Sequence, residues 1–333
     1  MTLDAFMSYM VGHTPMYRAV GYCPSGNLFL KLEEKNKHGS IKERAGYYII
    51  RDLIEAGRLR PGVSLVESSS GNLGLSLGLF ARDLDIDFLC LIDPTVPREK
   101  AELLASNQIR THCVGLEGFA TYRDARITMA SELDRQPNWI WTRQYDNPSN
   151  VKAHFETTGP EIWSQMNGQV DYVLSSVGSG GTVCGIGLYM KRQSPATSIV
   201  AIEPKGSTIF GGEPGSYLSA GAGMSYPPGI IKQYGQVIDY FCQVDDAAAL
   251  HACVQFRNAE GFYVGITAGS VLVVASYLAD RYPDKRIVAV AADGGDKYTS
   301  FFATAPENDV LTPGVALCKY TCGIPAPILR ELP

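Results

Sequence analysis

The chain has no surplus of basic residues. Its 29 Lys and Arg stand against 34 Asp and Glu, a net charge of −5. Nucleic acid and other polyanions are therefore disfavoured as partners. An unbroken apolar run of membrane length is also missing. Two uncharged stretches, 172–190 and 261–279, are long enough by length alone. Glycine, serine and threonine interrupt both, so each reads as strand, turn and buried helix. The expectation is a soluble, cytoplasmic protein with no membrane contact. The opening MTLDAFMSYM lacks the basic region of a secretory signal. Histidine is sparse: His13, His38, His112, His154 and His251 have no metal-ligand spacing, so no metal is expected and none of the five is given a role. The eight cysteines are scattered and form no dense disulfide framework. Cys318 and Cys322 lie four apart, but no second pair or nearby histidine completes a site, which leaves reduced, packed thiols. Internal repeats and low-complexity linkers are absent too.

What remains is an ordinary globular composition on a chain of 333 residues, enough for one large or two modest domains. Apolar strand patterns at 28–32, 63–67, 87–92, 110–114, 139–142, 170–176, 198–203, 237–244 and 286–291 alternate with helical patterns. The helices fall at 41–56, 75–82, 98–107, 119–135, 149–166, 183–193, 245–261 and 269–282. A glycine-rich segment, 204–228, follows neither pattern, and loops of that length usually carry function. The alternation predicts an α/β fold of two domains with mainly parallel sheets flanked by helices. A split near 147–149 gives a smaller domain, 44–148, and a larger one, 1–43 with 149–333. Ligands in such sheets bind beyond the carboxyl ends of the strands.

Three loops lie at such ends. The first follows the strand Leu28–Leu32 and leads through Gly39 and Ser40 to Lys42, in the first turn of a helix. That end of a helix carries partial positive charge, so a lysine there is not placed for helix stability. Taken alone it would be a solvated surface lysine. The second, Gly178-Ser179-Gly180-Gly181-Thr182, precedes a helix with little side chain to cover its N–H groups. It suits a phosphate, or it is a tight turn without a ligand. It lacks the lysine of a nucleotide P-loop and the spacing of a dinucleotide fingerprint. The third, Ser68-Ser69-Ser70-Gly71-Asn72, places hydroxyls and N–H groups at a helix start. It suits a carboxylate, with Asn72 able to bond a phenolic oxygen; the plain alternative is an N-cap cluster. Gln144, before the Asp146-Asn147-Pro148 turn, would complete carboxylate binding or remain a solvated loop residue. One phosphate, one group reactive toward lysine and an amino-acid partner together describe pyridoxal 5'-phosphate.

At this point the chain resembles the cysteine synthase family of β-substituting pyridoxal-phosphate enzymes, from Gly12-His13-Thr14-Pro15 to Asp296-Lys297-Tyr298. Asn36 and Ser40-Ile41-Lys42-Glu43-Arg44 match the family's lysine motif. Glu67-Ser68-Ser69-Ser70-Gly71-Asn72 matches its asparagine loop. Gln144, Asn147-Pro148 and Thr157-Thr158-Gly159-Pro160-Glu161 match its middle, and residues 178–182 its phosphate loop. The resemblance implies fold type II (tryptophan synthase β-like), a smaller mobile substrate-binding domain, a larger cofactor-binding domain and a homodimer. Apolar, unmatched segments such as 316–332 would cover a partner or pack on their own chain. It implies Lys42 as the cofactor-bearing, catalytic lysine, and Asn72, residues 178–182 and the Gly294 position as cofactor contacts. Ser68, Ser69, Ser70 and Gln144 would hold the substrate carboxylate. The reaction implied proceeds through an aminoacrylate.

The departures narrow the substrate. Leu73 stands where the family usually has threonine, and Lys37 where proline is usual. Gly294 occupies the place of the hydroxyl partner of the pyridine nitrogen, which leaves that nitrogen to water or to Asp293; alternatively Asp293 caps the following turn. Leu73, the Lys205-Gly206-Ser207-Thr208-Ile209-Phe210-Gly211 segment and the ending at Tyr298 resemble one branch. That branch makes N-(2-amino-2-carboxyethyl)-L-glutamate from O-phosphoserine and glutamate, toward 2,3-diaminopropionate in siderophore or antibiotic pathways. Ser207 and its neighbours would receive the leaving phosphate, unless the segment is a mobile surface loop. Residues 146–161 resemble ordinary cysteine synthases, so sulfide remains the alternative nucleophile. A cofactor-free binding protein of the same fold is the third reading, against which an intact Lys42 speaks.

Overall fold

The computed structural model describes residues 1–69, 71–96, 98–219, 221–302, 317–321 and 324–325. Its strands are β1 (Met16–Arg18), β2 (Leu28–Leu32), β3 (Ser64–Ser68), β4 (Phe88–Ile92), β5 (Arg110–Cys113), β6 (Trp139–Trp141), β7 (Tyr172–Ser176), β8 (Ser198–Pro204), β9 (Tyr240–Val244), β10 (Ile287–Ala291), β11 (Cys318–Thr321) and β12 (Ile324–Pro325). The chain divides into two compact units. One comprises Met1–Val11 and Lys42–Asn150, the other Gly12–Ile41 and the described residues from Val151 onward.

The first unit holds a four-stranded sheet in the order β5-β4-β3-β6. All its pairs are parallel. Parallel neighbours need helical crossovers, and Asn72–Asp83, Arg98–Ser106 and Tyr122–Asp134 supply them. Val66, Leu89 and Leu91 form an inner layer with Ala125 and Ala130 of the last of these helices. The N-terminal residues belong here rather than with the larger unit expected for 1–43. Phe6 is fully buried and packs its ring on Tyr47 and Phe80, 5.0 and 5.6 Å between centroids. Burying one such ring is worth roughly 1.5–3 kcal/mol, enough to dock a short segment.

Among the described residues, the second unit holds a sheet of eight strands in the order β1-β2-β10-β7-β8-β9-β11-β12. The five strands from β2 to β9 run parallel, and the antiparallel pairs lie toward the edges. The helix Ile266–Arg281 is buried along most of its length against this sheet. It starts three residues earlier than the apolar pattern suggests, because Thr267 and Ala268 carry no strong hydrophobic signal. Of the apolar stretch 316–332, only 317–321 and 324–325 lie within the described residues.

A buried polar cluster ties β2 to its surroundings in this unit. Lys31 Nζ sits 2.7 Å from Glu161 Oε2 and 2.9 Å from Gln165 Oε1. Glu33 accepts from Thr14 Oγ1 at 2.7 Å and from Asn36 Nδ2 at 2.8 Å. Thr14, Asn36 and Glu161 thus hold one another through β2 and the helix Gly159–Gln165. The single helix expected over 149–166 is three pieces: Pro148–Ala153, a π-helical turn His154–Thr158, and Gly159–Gln165. Such turns insert a residue into a helix and recur at functional sites.

Among the described residues, no helix is long and apolar enough to cross a membrane.

Candidate active site

In the first unit, β3 ends at Ser68 and the helix Asn72–Asp83 begins four residues later. The short connection is pinned at both ends. Gly74 N donates to Ser69 Oγ at 3.2 Å, and Cys90 Sγ donates to the Ser69 carbonyl at 2.7 Å. Gln144, on the loop after β6, donates its amide to the Ser68 carbonyl at 3.2 Å. The side-chain nitrogen keeps a second N–H beyond that bond. Ser68, Ser69 and Gln144 are therefore brought together, and all three are buried. Ser70 lies outside the described residues. Asn72 is the first residue of the helix.

Beneath this group sits a residue given no chemistry in the sequence reading. Glu67 is fully buried. Its Oε1 accepts from Ser68 N at 2.8 Å and Trp141 Nε1 at 3.3 Å; its Oε2 accepts from Thr142 Oγ1 at 2.5 Å and Gln144 N at 3.1 Å. Burial pushes its carboxyl up, while these four donors pull it back. One carboxylate thus fixes both the serine loop and Gln144.

Lys42 opens the helix Lys42–Glu55. In the second unit, the residue before it, Ile41, donates its N–H to the Ala292 carbonyl at 2.8 Å, and Ser40 forms a bridge with Asp293. The chain leading to Lys42 is thereby fixed beside the loop after β10. Asp293 is buried and accepts the Tyr298 hydroxyl on Oδ2 at 2.8 Å, so its carboxylate holds its own turn together. Gly294 follows. A Cβ added there would lie 2.7 Å from Asp296 Oδ1 and 3.4 Å from Glu34 Cβ. Glu34 Oε2 is buried without a hydrogen-bond partner among the described residues, and burial raises its carboxyl above the usual range.

Also in the second unit, β7 runs into residues 178–182, and the helix Gly181–Gln193 begins inside that loop. The first N–H groups of a helix have no intrahelical acceptor, and here the loop presents them. Gly180 is left-handed, with φ +89°, and a Cβ there would fall 2.7 Å from Ile231 Cδ1. A Cβ on Gly178 would fall 2.8 Å from the Gly221 carbonyl oxygen. Only glycine fits either position. Thr182 Oγ1 lies 3.3 Å from His154 Nε2, and His154 Nδ1 lies 2.9 Å from Thr158 Oγ1. No spacing in the sequence marks His154 for this position.

Ser207 is placed otherwise than a leaving-group site requires. It is fully buried, donates to Glu203 Oε2 at 2.5 Å and accepts from Met224 N at 3.0 Å. Gln243 Nε2 adds bonds to Glu203 Oε1, at 3.0 Å, and to the Ser207 and Gly211 carbonyls. Segment 205–211 is tethered to the end of β8 rather than loose.

Residues 7–293 match the family described as pyridoxal-phosphate dependent enzyme. The N-(2-amino-2-carboxyethyl)-L-glutamate synthase of Ralstonia nicotianae is 31% identical over 298 residues, 86% of this chain and 86% of that protein. Cysteine synthase B of Campylobacter jejuni is 29% identical over 300 residues, 88% of this chain and 96% of that protein. Cystathionine beta-synthase of Apis mellifera is 31% identical over 88% of this chain, which spans only 60% of that enzyme's length. The solved O-ureido-L-serine synthase superposes with a TM-score of 0.83 over 93% of this chain and 98% of its own, at 26% identity. The residues present fit the cofactor. Helix N–H groups face a loop that excludes Cβ atoms at Gly178 and Gly180, which suits a phosphate ester. The chain belongs to the pyridoxal-phosphate dependent enzyme family, and within it to the β-substituting, cysteine synthase-like enzymes of amino-acid biosynthesis.

Proposed function

We propose that this enzyme replaces the β-substituent of O-phosphoserine with the amine of L-glutamate, giving N-(2-amino-2-carboxyethyl)-L-glutamate. The observation that carries this reading is the likeness to the Ralstonia enzyme of that name along 86% of both chains. Leu73, segment 205–211 and the ending at Tyr298 support it. In this reading the protein is a cytoplasmic homodimer that supplies a precursor of 2,3-diaminopropionate.

Pyridoxal phosphate, when bound, supplies the electron sink for loss of the substrate's Cα proton and β-substituent. Lys42 holds it through the ε-amine and, when released, takes the proton from Cα and later returns it. Residues 178–182 hold the phosphate. Asn72 orients the ring oxygen, and Gly294 lies toward the ring nitrogen. Ser68, Ser69 and Gln144 bind the substrate carboxylate, with Ser70 as the fourth member of that group. With the Ser207 hydroxyl engaged by Glu203, contact with a departing phosphate falls to Lys205, which is exposed, and to Thr208.

The second reading is a cysteine synthase. It is favoured by residues 146–161 and by the Campylobacter relative. The deciding experiment incubates purified protein with O-phosphoserine or O-acetylserine, each with glutamate or sulfide, and identifies products by mass spectrometry. The expected product is the glutamate adduct from O-phosphoserine, absent with Lys42→Ala. Cysteine as the sole product would establish the second reading.

A further inference from the structure

The π-helical turn His154–Thr158 places a histidine against Thr182, the last residue of the 178–182 loop. His154 is fully buried, and so is Thr158. Gly185, in the helix that follows the loop, makes the approach possible. A Cβ there would sit 2.6 Å from His154 Cβ and 3.0 Å from Phe155 N. The imidazole then spans two hydroxyls, Thr158 Oγ1 on Nδ1 and Thr182 Oγ1 on Nε2.

A threonine hydroxyl has one proton to donate. If Thr182 gives it to His154, none is left for an anion in the loop. If His154 donates instead, Thr182 accepts that bond and its own proton is released toward the anion. Each ring nitrogen faces a hydroxyl, which can donate or accept, so the tautomer sets the direction of the whole row. A proton on Nε2 requires Nδ1 to accept, and Thr158 is the hydroxyl placed to donate there.

We propose that His154 is a positioning residue for the cofactor phosphate. Held as the Nε2–H tautomer by the Thr158 hydroxyl, it donates to Thr182 Oγ1 and turns the Thr182 O–H toward the phosphate. The chain Thr158, His154, Thr182 is then a one-way row of donors that ends on the anion, and such rows polarise one another. This rests on the reading of residues 178–182 as the phosphate site. It does not depend on which substrate the enzyme uses.

The test measures pyridoxal-phosphate affinity of the apoprotein by fluorescence titration, and the phosphorus NMR signal of the bound cofactor. Thr182→Val and His154→Phe should each weaken binding roughly tenfold or more, the scale of one hydrogen bond to a charged group, and should move the phosphorus signal in the same direction. The double variant should be no weaker than either single one, since both remove one interaction. His154→Gln places an amide N–H within reach of Thr182 and should restore most of the affinity. Wild-type affinity in His154→Phe alongside a weakened Thr182→Val would overturn the proposal and leave the phosphate site standing. Equal losses in His154→Gln and His154→Phe would overturn it too, because the ring would then act by packing alone. An unaffected Thr182→Val would remove the phosphate-site reading and the proposal with it.

Discussion

Glu67 shows how much a single buried charge can organise. Its two oxygens accept from Ser68 N, Trp141 Nε1, Thr142 Oγ1 and Gln144 N. An amide in its place would turn an N–H toward at least one of these donors. Leaving buried donors unmatched costs about 1–3 kcal/mol. Glu67→Gln should therefore lower the melting temperature. It should also raise KM for the amino-acid donor far more than it lowers kcat, because Ser68 and Gln144 lose their common anchor. Steady-state kinetics would read the split, and an unchanged KM would separate Glu67 from substrate binding. The serine loop and Gln144 are legible in the sequence, since hydroxyls at a helix start and a lone amide before a turn have a recognisable chemistry. Glu67 is visible there only as part of a motif. Its role requires Trp141, Thr142 and Gln144, which arrive through the pairing of β3 with β6, and no local pattern announces that pairing. His154 was hidden for the same reason. Metal-ligand spacing does not mark a histidine that meets the hydroxyls of Thr158 and Thr182.

Most elements follow from apolar periodicity, because parallel strands buried on both faces and the helices between them have distinct periods. The π-turn does not. One extra residue in 148–165 leaves the apolar spacing readable as a single helix, and only the bonding pattern reveals the break. Its consequence is packing: the helix Gly181–Gln193 approaches the π-turn closely enough that Gly185 tolerates no side chain. Gly185→Ala should push these elements apart. Overpacking of this kind costs roughly 1–3 kcal/mol, and the shift should carry His154 away from Thr182. The variant should melt lower and bind pyridoxal phosphate more weakly, measured by thermal denaturation and by titration of the apoprotein. A variant that melts lower yet binds the cofactor normally would show that the phosphate loop does not depend on this contact.

At the scale of the whole chain, family membership makes the cofactor part of the folded protein's stability. A ligand that binds the native state and not the unfolded chain adds about 4 kcal/mol when its concentration is a thousand times Kd. A protein of two compact units, each with its own sheet, need not unfold in a single all-or-none transition. The phosphate loop and Lys42 belong to different units. If both hold the cofactor, as proposed, its removal should change the number of transitions and not only their midpoint. Apoprotein prepared with hydroxylamine should melt at a lower temperature and over a broader range than holoprotein in differential scanning calorimetry. Pyridoxal phosphate should restore the sharp transition. Inorganic phosphate should recover only part of the midpoint, since it can occupy residues 178–182 but offers nothing for Lys42 to hold. Lys42→Ala loaded with cofactor should likewise keep the phosphate contribution and lose the sharpening. Full recovery by inorganic phosphate alone would mean that the stabilisation resides in the phosphate loop and that Lys42 adds none.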